Sequence, residues 1–186
     1  MNIRLFLLFF STIWVSSATQ SLFGQNKIKW VTWEEAIEKS KKDKKKLFVD
    51  IYTDWCGWCK KMDQTTFGDD DIAKYINKNY HAIKFDAEMT STVILKGDLY
   101  SYVKSGQRGY HELAAKLLQG RMSFPSTVIL DEDLNLIQAI PGYQSIETME
   151  QIITYFGSNS HKTIPWARFT QTYDSETYLN LASKQK

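Results

Sequence analysis

The chain has 186 residues, a length that suits one domain with modest additions and is too short for two full-sized enzyme domains. With 43% hydrophobic and 24% charged residues, its composition is that of a globular protein, which excludes a largely disordered chain. The formal net charge is only +2, so charge gives no reason to expect nucleic acid as a partner.

The N-terminal segment has the pattern of a secretory signal peptide. A positive charge at Arg4 precedes a nearly continuous apolar run over residues 5–15, and small residues follow at 16–18. This run is shorter than the roughly 20 residues that a helix needs to cross a bilayer. We therefore expect residues 1–18 to be a cleaved signal peptide and the protein to be periplasmic or secreted, where disulfides persist. An uncleaved anchor is the alternative.

The first predicted elements of the mature chain alternate between helix and strand. Thr32 and Glu35 form a capping-box pattern, which predicts that a helix begins here. The lysine-rich tract 39–46 is interpreted as the solvated end of this helix and the loop that follows. Residues 47–52 are short and mostly apolar, which predicts a buried strand in which Asp50 is the one acidic residue.

Two more helices and a strand are predicted next. One helix begins near Cys56, and another covers residues 69–77, where aspartates lie at the positive end of the helix dipole. Residues 81–86 alternate with period two, as a half-buried strand does. The segment 87–122 is irregular except for a predicted helix over 111–119.

The last part of the domain adds a hairpin and a helix. Residues 127–130 and 134–140 are predicted strands joined by a short turn, and 145–156 has the apolar face of an amphipathic helix. We assign no role to the C-terminal extension, residues 157–186. The order of elements predicts a mixed α/β sheet, with a parallel βαβ pair beside an antiparallel hairpin and helices on both faces.

Cys56 and Cys59 form a CxxC motif at a predicted strand-to-helix junction. A zinc site would need a second pair of ligands, and the three histidines of the chain are each isolated, so no metal is expected. Haem attachment would need histidine where Lys60 stands. A purely structural disulfide would close a very small loop and add little stability. A redox-active dithiol is the favoured interpretation, and zinc binding and a structural disulfide remain the alternatives.

The position of the motif predicts which cysteine reacts first. At the N-terminus of a helix, free N–H groups and the dipole favour the thiolate of Cys56 over its thiol. We expect Cys56 to be the exposed nucleophile that forms a mixed disulfide with a partner. Cys59 lies one turn further along the helix and is expected to release the partner by closing the Cys56–Cys59 bond.

The chain resembles the thioredoxin-like family over most of residues 30–156. The resemblance rests on the segment 49–60, VDIYTDWCGWCK, and on 123–127, SFPST. It is closest to the thioredoxin-like domain of periplasmic thiol–disulfide interchange proteins. The thioredoxin fold is thus implied, with a helical insertion before the strand that follows the proline.

The resemblance also implies roles for three residues outside the CxxC motif. Pro125 would form a cis peptide bond facing the dithiol, and the main chain of Phe124 would pair with the substrate as an added strand does. The alternative is that Pro125 merely begins an edge strand. Asp50 matches a buried acid behind the second cysteine. Burial would raise its pKa, so that it exchanges protons near neutral pH through a water molecule. A hydrogen-bonded aspartate at a strand end is the alternative.

Three residues in and beside the motif are candidates for contact with the partner. Trp55 and Trp58 would flank an apolar docking surface, although Trp55 could equally pack in the core, and Gly57 would allow tight passage of the chain. The insertion, residues 87–122, is either a binding element near the site or scaffold, since its tyrosines and glycines suit a binding loop.

We therefore expect an exported oxidoreductase that exchanges disulfides and thiols with protein substrates and needs no cofactor. Reduction of protein disulfides is favoured, with a membrane electron donor as one source of electrons. A disulfide oxidase or isomerase is the next alternative, and a non-catalytic binding or chaperone module is a third. We expect a monomer, because no dimerisation region is evident, and no nucleic-acid partner.

Overall fold

The computed structural model describes residues 27–176. The predicted signal peptide and the last ten residues of the C-terminal extension lie outside the described residues. Within them are nine strands: β1 (Trp30–Val31), β2 (Lys46–Tyr52), β3 (Tyr80–Asp86), β4 (Val93–Leu95), β5 (Asp98–Tyr100), β6 (Tyr102–Ser105), β7 (Arg108–His111), β8 (Ser126–Leu130) and β9 (Leu136–Pro141). The α-helices there are α1 (Trp33–Lys42), α2 (Gly57–Gln64), α3 (Asp70–Asn79), α4 (Glu112–Leu117), α5 (Ile146–Gly157) and α6 (Trp166–Thr172).

A mixed five-stranded sheet forms the centre of the molecule, in the order β1-β3-β2-β8-β9. β2 runs parallel to β3 and antiparallel to β8, and β8 continues into an antiparallel pair with the edge strand β9. The sheet therefore combines a parallel βαβ pair with an antiparallel hairpin, as the sequence predicted. None of the helices in residues 27–176 is long and apolar enough to cross a membrane.

The central strand β2 divides the core into two layers, because successive side chains of a strand point to opposite faces. Leu47, Val49 and Ile51 pack with α1 and α4 on one face. Phe48 packs on the other face with residues of α2, α3 and α5. Asp50 has the same parity as Phe48, so its carboxyl group lies on the face that α2 covers.

The predicted helix starts are confirmed, and one prediction for the lysine tract is wrong. Thr32 and Glu35 make the reciprocal hydrogen bonds of a capping box at the start of α1. Lys46, expected in a solvated loop, begins β2 and is buried. Its Nζ donates to Glu132 Oε1 at 2.6 Å and to Asn159 Oδ1 at 2.8 Å. A buried ammonium needs such partners, and they come from residues distant in sequence.

The segment 87–122 contains two β-hairpins that the sequence did not predict, as well as the predicted helix, α4. β4 pairs with β5, and β6 pairs with β7. The second hairpin is fixed at its base, where the Glu112 carboxylate accepts the Ser101 N–H at 2.8 Å and the His111 N–H donates to the Ala87 carbonyl at 2.7 Å. It is thus attached directly to the end of β3.

The C-terminal extension packs against the domain as far as it is described. α6 places Phe169 in the same buried cluster as residues of α3 and α5. The Tyr173 hydroxyl donates to Glu150 on α5 at 2.8 Å. This packing had no counterpart in the sequence analysis, which assigned no role to residues 157–186.

Candidate active site

Cys56 and Cys59 form a disulfide at the N-terminus of α2. The S–S distance is 2.09 Å and the two Cα atoms are 5.3 Å apart. Cys56 is the N-cap of the helix, and its Sγ accepts the backbone N–H of Cys59 at 3.0 Å. In the reduced protein this N–H and the positive end of the helix dipole would stabilise negative charge on the Cys56 sulfur.

The expectation that Cys56 is exposed is wrong for the disulfide form. Cys56 is 5% exposed and Cys59 is 2% exposed, so both are buried. The Cys56 sulfur accepts the Cys59 N–H and is bonded to the Cys59 sulfur. Beside it lies Gly57, where an added Cβ would meet no heavy atom within 4 Å. A close approach of other atoms is therefore not the reason for glycine here, and no described residue occupies the space beside Gly57.

The peptide bond between Phe124 and Pro125 is cis, as the resemblance implied. Pro125 does not begin an edge strand, because β8 directly after it lies inside the sheet between β2 and β9. Its carbonyl accepts the Gly142 N–H at 2.8 Å, which ties this turn to the end of β9. Within residues 27–176, the main-chain N–H and carbonyl of Phe124 have no hydrogen-bond partner.

Four aromatic side chains form two ring pairs in and beside the CxxC motif, and we call them the aromatic rim: Trp55, Trp58, Phe124 and Tyr143. Trp55 is 53% exposed and Trp58 is 64% exposed, so the alternative that Trp55 packs in the core is wrong. The Trp55 ring meets Phe124 edge-on, with centroids 6.0 Å apart. Trp58 lies 5.5 Å from the Tyr143 ring. No local sequence signal pointed to Tyr143, since it is brought to Trp58 by the fold.

Two residues of the segment 87–122 contact the Trp55 side chain. The indole N–H of Trp55 donates to Glu88 Oε1 at 3.1 Å. The guanidinium carbon of Arg108, the first residue of β7, lies 4.9 Å from the centroid of the indole. A cation at this distance is attracted to the ring face. The β6–β7 hairpin therefore reaches Trp55 next to the CxxC motif, although neither contact was predictable from local sequence.

Asp50 is buried on the face of the sheet that α2 covers, and it is only 1% exposed. Its Oδ2 pairs with the Lys84 ammonium at 2.8 Å, whereas its Oδ1 has no hydrogen-bond partner in residues 27–176. Burial raises the pKa of Asp50 to about 6, because desolvation outweighs the attraction of Lys84. The carboxyl group can therefore change its protonation state near neutral pH.

Lys84 also binds Asp63 on α2, so one ammonium joins two carboxylates. Neither Lys84 nor Asp63 was predicted from the sequence as a site residue. Two buried hydroxyls, those of Thr53 and Thr127, lack hydrogen-bond partners in the described part of the chain, and Thr127 stands opposite Asp50 across the β2–β8 pair. No group of three or more metal-ligating side chains occurs within residues 27–176.

Comparison with known proteins places these features in a family. The thioredoxin-like domain family matches residues 33–157. The chain is 33% identical over 88 residues to an uncharacterised protein of Caenorhabditis elegans. The matched residues make up 47% of this chain and 12% of that protein. It is 31% identical over 64 residues to spermatogenesis-associated protein 20 of Mus musculus, 34% of this chain and 8% of that protein. The chain thus spans about a tenth of the length of these curated relatives.

Two solution structures share the fold. One is a candidate disulphide isomerase from Bacteroides thetaiotaomicron, with a TM-score of 0.51 and 22% identity over 73% of this chain and 96% of that one. The other is a thioredoxin from Thermus thermophilus, with a TM-score of 0.51 and 13% identity over 74% of this chain and 98% of that one. At these identities the likeness concerns the fold alone.

Proposed function

The chain belongs to the thioredoxin-like family, and we propose that it reduces disulfides of other proteins through the dithiol of Cys56 and Cys59. The fold and the CxxC pair support thiol–disulfide exchange at the level of the family. The observation that carries the proposal is the Cys56 sulfur that caps the N-terminus of α2 within the CxxC disulfide, and the buried Asp50 carboxyl group, whose pKa is raised to about 6, supports it. The first group favours a thiolate and the second can take up a proton.

The reaction begins with the reduced protein. The Cys56 thiolate attacks one sulfur of the substrate disulfide, and the other substrate sulfur leaves as a thiolate that takes up a proton. Cys59 then loses its proton to the Asp50 carboxylate, directly or through water, and attacks the Cys56 sulfur. The Cys56–Cys59 disulfide forms and the second substrate thiolate leaves, so two electrons have passed to the substrate. Asp50 returns its proton to solvent or to the leaving thiolate.

The partner would dock on the aromatic rim. Exposed tryptophans next to the reactive sulfur offer a large apolar contact area at low cost in conformational entropy. The main-chain N–H and carbonyl of Phe124 would pair with an extended segment of the partner. Glu88 and Arg108 would form the side of this surface, which gives the β6–β7 hairpin a role in the choice of partner.

We further propose that the protein is exported and is re-reduced by a membrane electron donor. The support for export is the apolar run 5–15 followed by small residues at 16–18. Intact-mass measurement of the protein from the exported fraction tests this directly. A mass that corresponds to a chain beginning at or near residue 19 supports cleavage, whereas the mass of the full-length chain contradicts it. Light scattering of the same sample tests the expected monomer.

Reduction of insulin disulfides separates the proposed enzyme from a non-catalytic module of the same fold. The wild-type protein, supplied with dithiothreitol, is expected to accelerate insulin precipitation, and Cys56→Ser is expected to lose this activity. If Cys56→Ser suppresses aggregation of an unfolded protein as well as the wild type does, while neither reduces insulin, the module is the better description. The reduction potential of the pair then gives the direction: a value near −270 mV indicates a reductant, and one near −120 mV an oxidase.

A further inference from the structure

Asp63 belongs to no motif of the sequence analysis and takes no part in the reaction described above. It lies on α2 and is 41% exposed, while the Asp50 carboxyl group is 1% exposed on β2. The Lys84 side chain from β3 is 21% exposed and contacts both carboxylates, at 2.8 Å for Asp50. A single lysine thus connects a buried acid with one at the surface.

Lys84 is held where it is by more than its two ion pairs. Three rings lie within 6 Å of its Nζ, at 5.3 Å for Trp30, 5.1 Å for Tyr52 and 5.5 Å for Phe67. Each ring face attracts a cation. Removal of Asp63 would therefore leave Lys84 within reach of Asp50, and the full positive charge of Lys84 would act on the Asp50 carboxylate.

Resting on the function proposed above, we propose that Asp63 is a positioning residue that shares Lys84 with Asp50 and so keeps the Asp50 carboxyl group able to bind and release a proton. With both carboxylates ionised, the three side chains carry one excess negative charge. Protonation of Asp50 relieves this excess, because Lys84 and Asp63 then form a balanced pair. Without Asp63, Lys84 and ionised Asp50 would form a balanced pair, and protonation of Asp50 would leave the Lys84 charge without a partner.

The other titratable groups on the neighbouring elements do not supply this effect. Tyr52 on β2 interacts electrostatically with Asp50, with Asp86 on β3 and with Asp54 in the turn that follows β2, but none of Tyr52, Asp86 and Asp54 shifts the pKa of Asp50. On β8, the residue opposite Asp50 is the uncharged Thr127. After desolvation and the attraction of Lys84, repulsion by Asp63 is the remaining influence on the pKa of Asp50, and it raises that pKa.

The test compares Asp63→Asn with the wild type in two measurements. The first is a ¹³C NMR titration of the Asp50 carboxyl group in the oxidised protein, which needs no activity. We expect its midpoint to fall by about half to one pH unit, since removal of a neighbouring like charge favours the ionised form. The second is the single-turnover rate at which the reduced protein is oxidised by insulin. The midpoint of the acidic limb of the pH–rate profile should move to lower pH by the same amount.

Two matched variants complete the test. Asp71→Asn removes a surface aspartate that pairs with Lys74 on α3, and it should leave both midpoints unchanged. Asp63→Glu keeps the charge and should remain near the wild type, and Asp63→Ser serves as a second neutral variant. An unchanged or raised Asp50 midpoint in both neutral variants would overturn the proposal, as would an unmoved acidic limb in a protein that reduces insulin. If the carboxyl midpoint falls but no variant reacts with insulin at any pH, the proposed function fails and the charge-sharing role of Asp63 stands.

Discussion

The exposed outer side of the CxxC motif and the buried inner side beneath α2 differ in chemical character. On the outer side the aromatic rim leaves two tryptophans more than half exposed. On the inner side, Asp50 and Lys84 form a buried ion pair between the sheet and α2. In the proposed function, the apolar surface of the outer side would bind a protein partner and the carboxyl group of the inner side would hold a proton. Substitutions on the two sides should therefore change different steps.

Substitution of Asp50 is expected to have the largest effect after loss of a cysteine. Asp50→Asn removes the proton acceptor for Cys59, so the rate at pH 7 should fall on the order of 10²-fold, the lower end for a positioned base. The loss should be equal with insulin and with a small disulfide such as hydroxyethyl disulfide, because both substrates need Cys59 to close the bond. A loss confined to insulin would mean that Asp50 acts on docking, and the division between the two sides would be wrong.

The same variant should become more stable than the wild type as the pH rises. Because burial raises the pKa of Asp50 from 3.8 to about 6, the folded protein binds more protons than the unfolded chain between these values. The free energy of unfolding should therefore fall by about 2 kcal/mol as the pH rises from 4 to above 6. Asp50→Asn lacks this fall, so it should match the wild type at pH 4 and exceed it at pH 7.5 in urea denaturation. Parallel stability profiles for the two proteins would contradict the raised pKa.

Substitution of Trp58 should affect only the docking of proteins. Trp58→Ala removes an exposed aromatic anchor worth about 2 kcal/mol, which corresponds to roughly a 30-fold rise in KM for insulin. The rate with hydroxyethyl disulfide should stay unchanged. Trp166→Ala is the matched control, since Trp166 is also partly exposed but lines a separate cavity of about 620 Å³ between β9 and α5. An equal loss in both variants would show that the rim has no special part in docking.

The smallest expected effect is at the edge of the rim. Arg108→Ala removes a cation from the face of Trp55, a contact worth about 0.5–1 kcal/mol, so KM for insulin should rise two- to fivefold. Lys104→Ala, on the same hairpin, should behave as the wild type. If the Lys104 variant shows the same rise, net charge on the hairpin rather than the Arg108–Trp55 contact is responsible.

The parts of the site that sequence reasoning found are those encoded by neighbours in the chain. The capping box at Thr32, the strand before the CxxC motif and the position of Cys56 as a helix cap all depend on residues within a few positions of one another. Asp50 was found for the same reason, because an acid inside an apolar strand is visible locally. The cis bond at Pro125 came from the resemblance and not from local physics.

The parts that were missed depend on contacts between distant segments. Lys84 meets Asp50 only because β3 pairs with β2 in a register that puts these two residues side by side. The hairpins were missed because their strands are only three or four residues long. Their turns carry Lys96-Gly97 and Gly106 with positive φ but lack the Asn-Gly or Asp-Gly signal that usually marks such turns. Glu88 and Arg108 could not be connected with Trp55 without those hairpins.

A covalent trap tests the central claim most directly. Reduced Cys59→Ser protein is mixed with oxidised insulin, and the products are separated without reductant and digested for mass spectrometry. We predict a mixed disulfide between Cys56 and an insulin cysteine, which persists because no second thiol is present to release it. The matching Cys56→Ser variant should form little of this adduct. No adduct through Cys56, or an equal yield through Cys59 in the Cys56→Ser protein, would contradict the account.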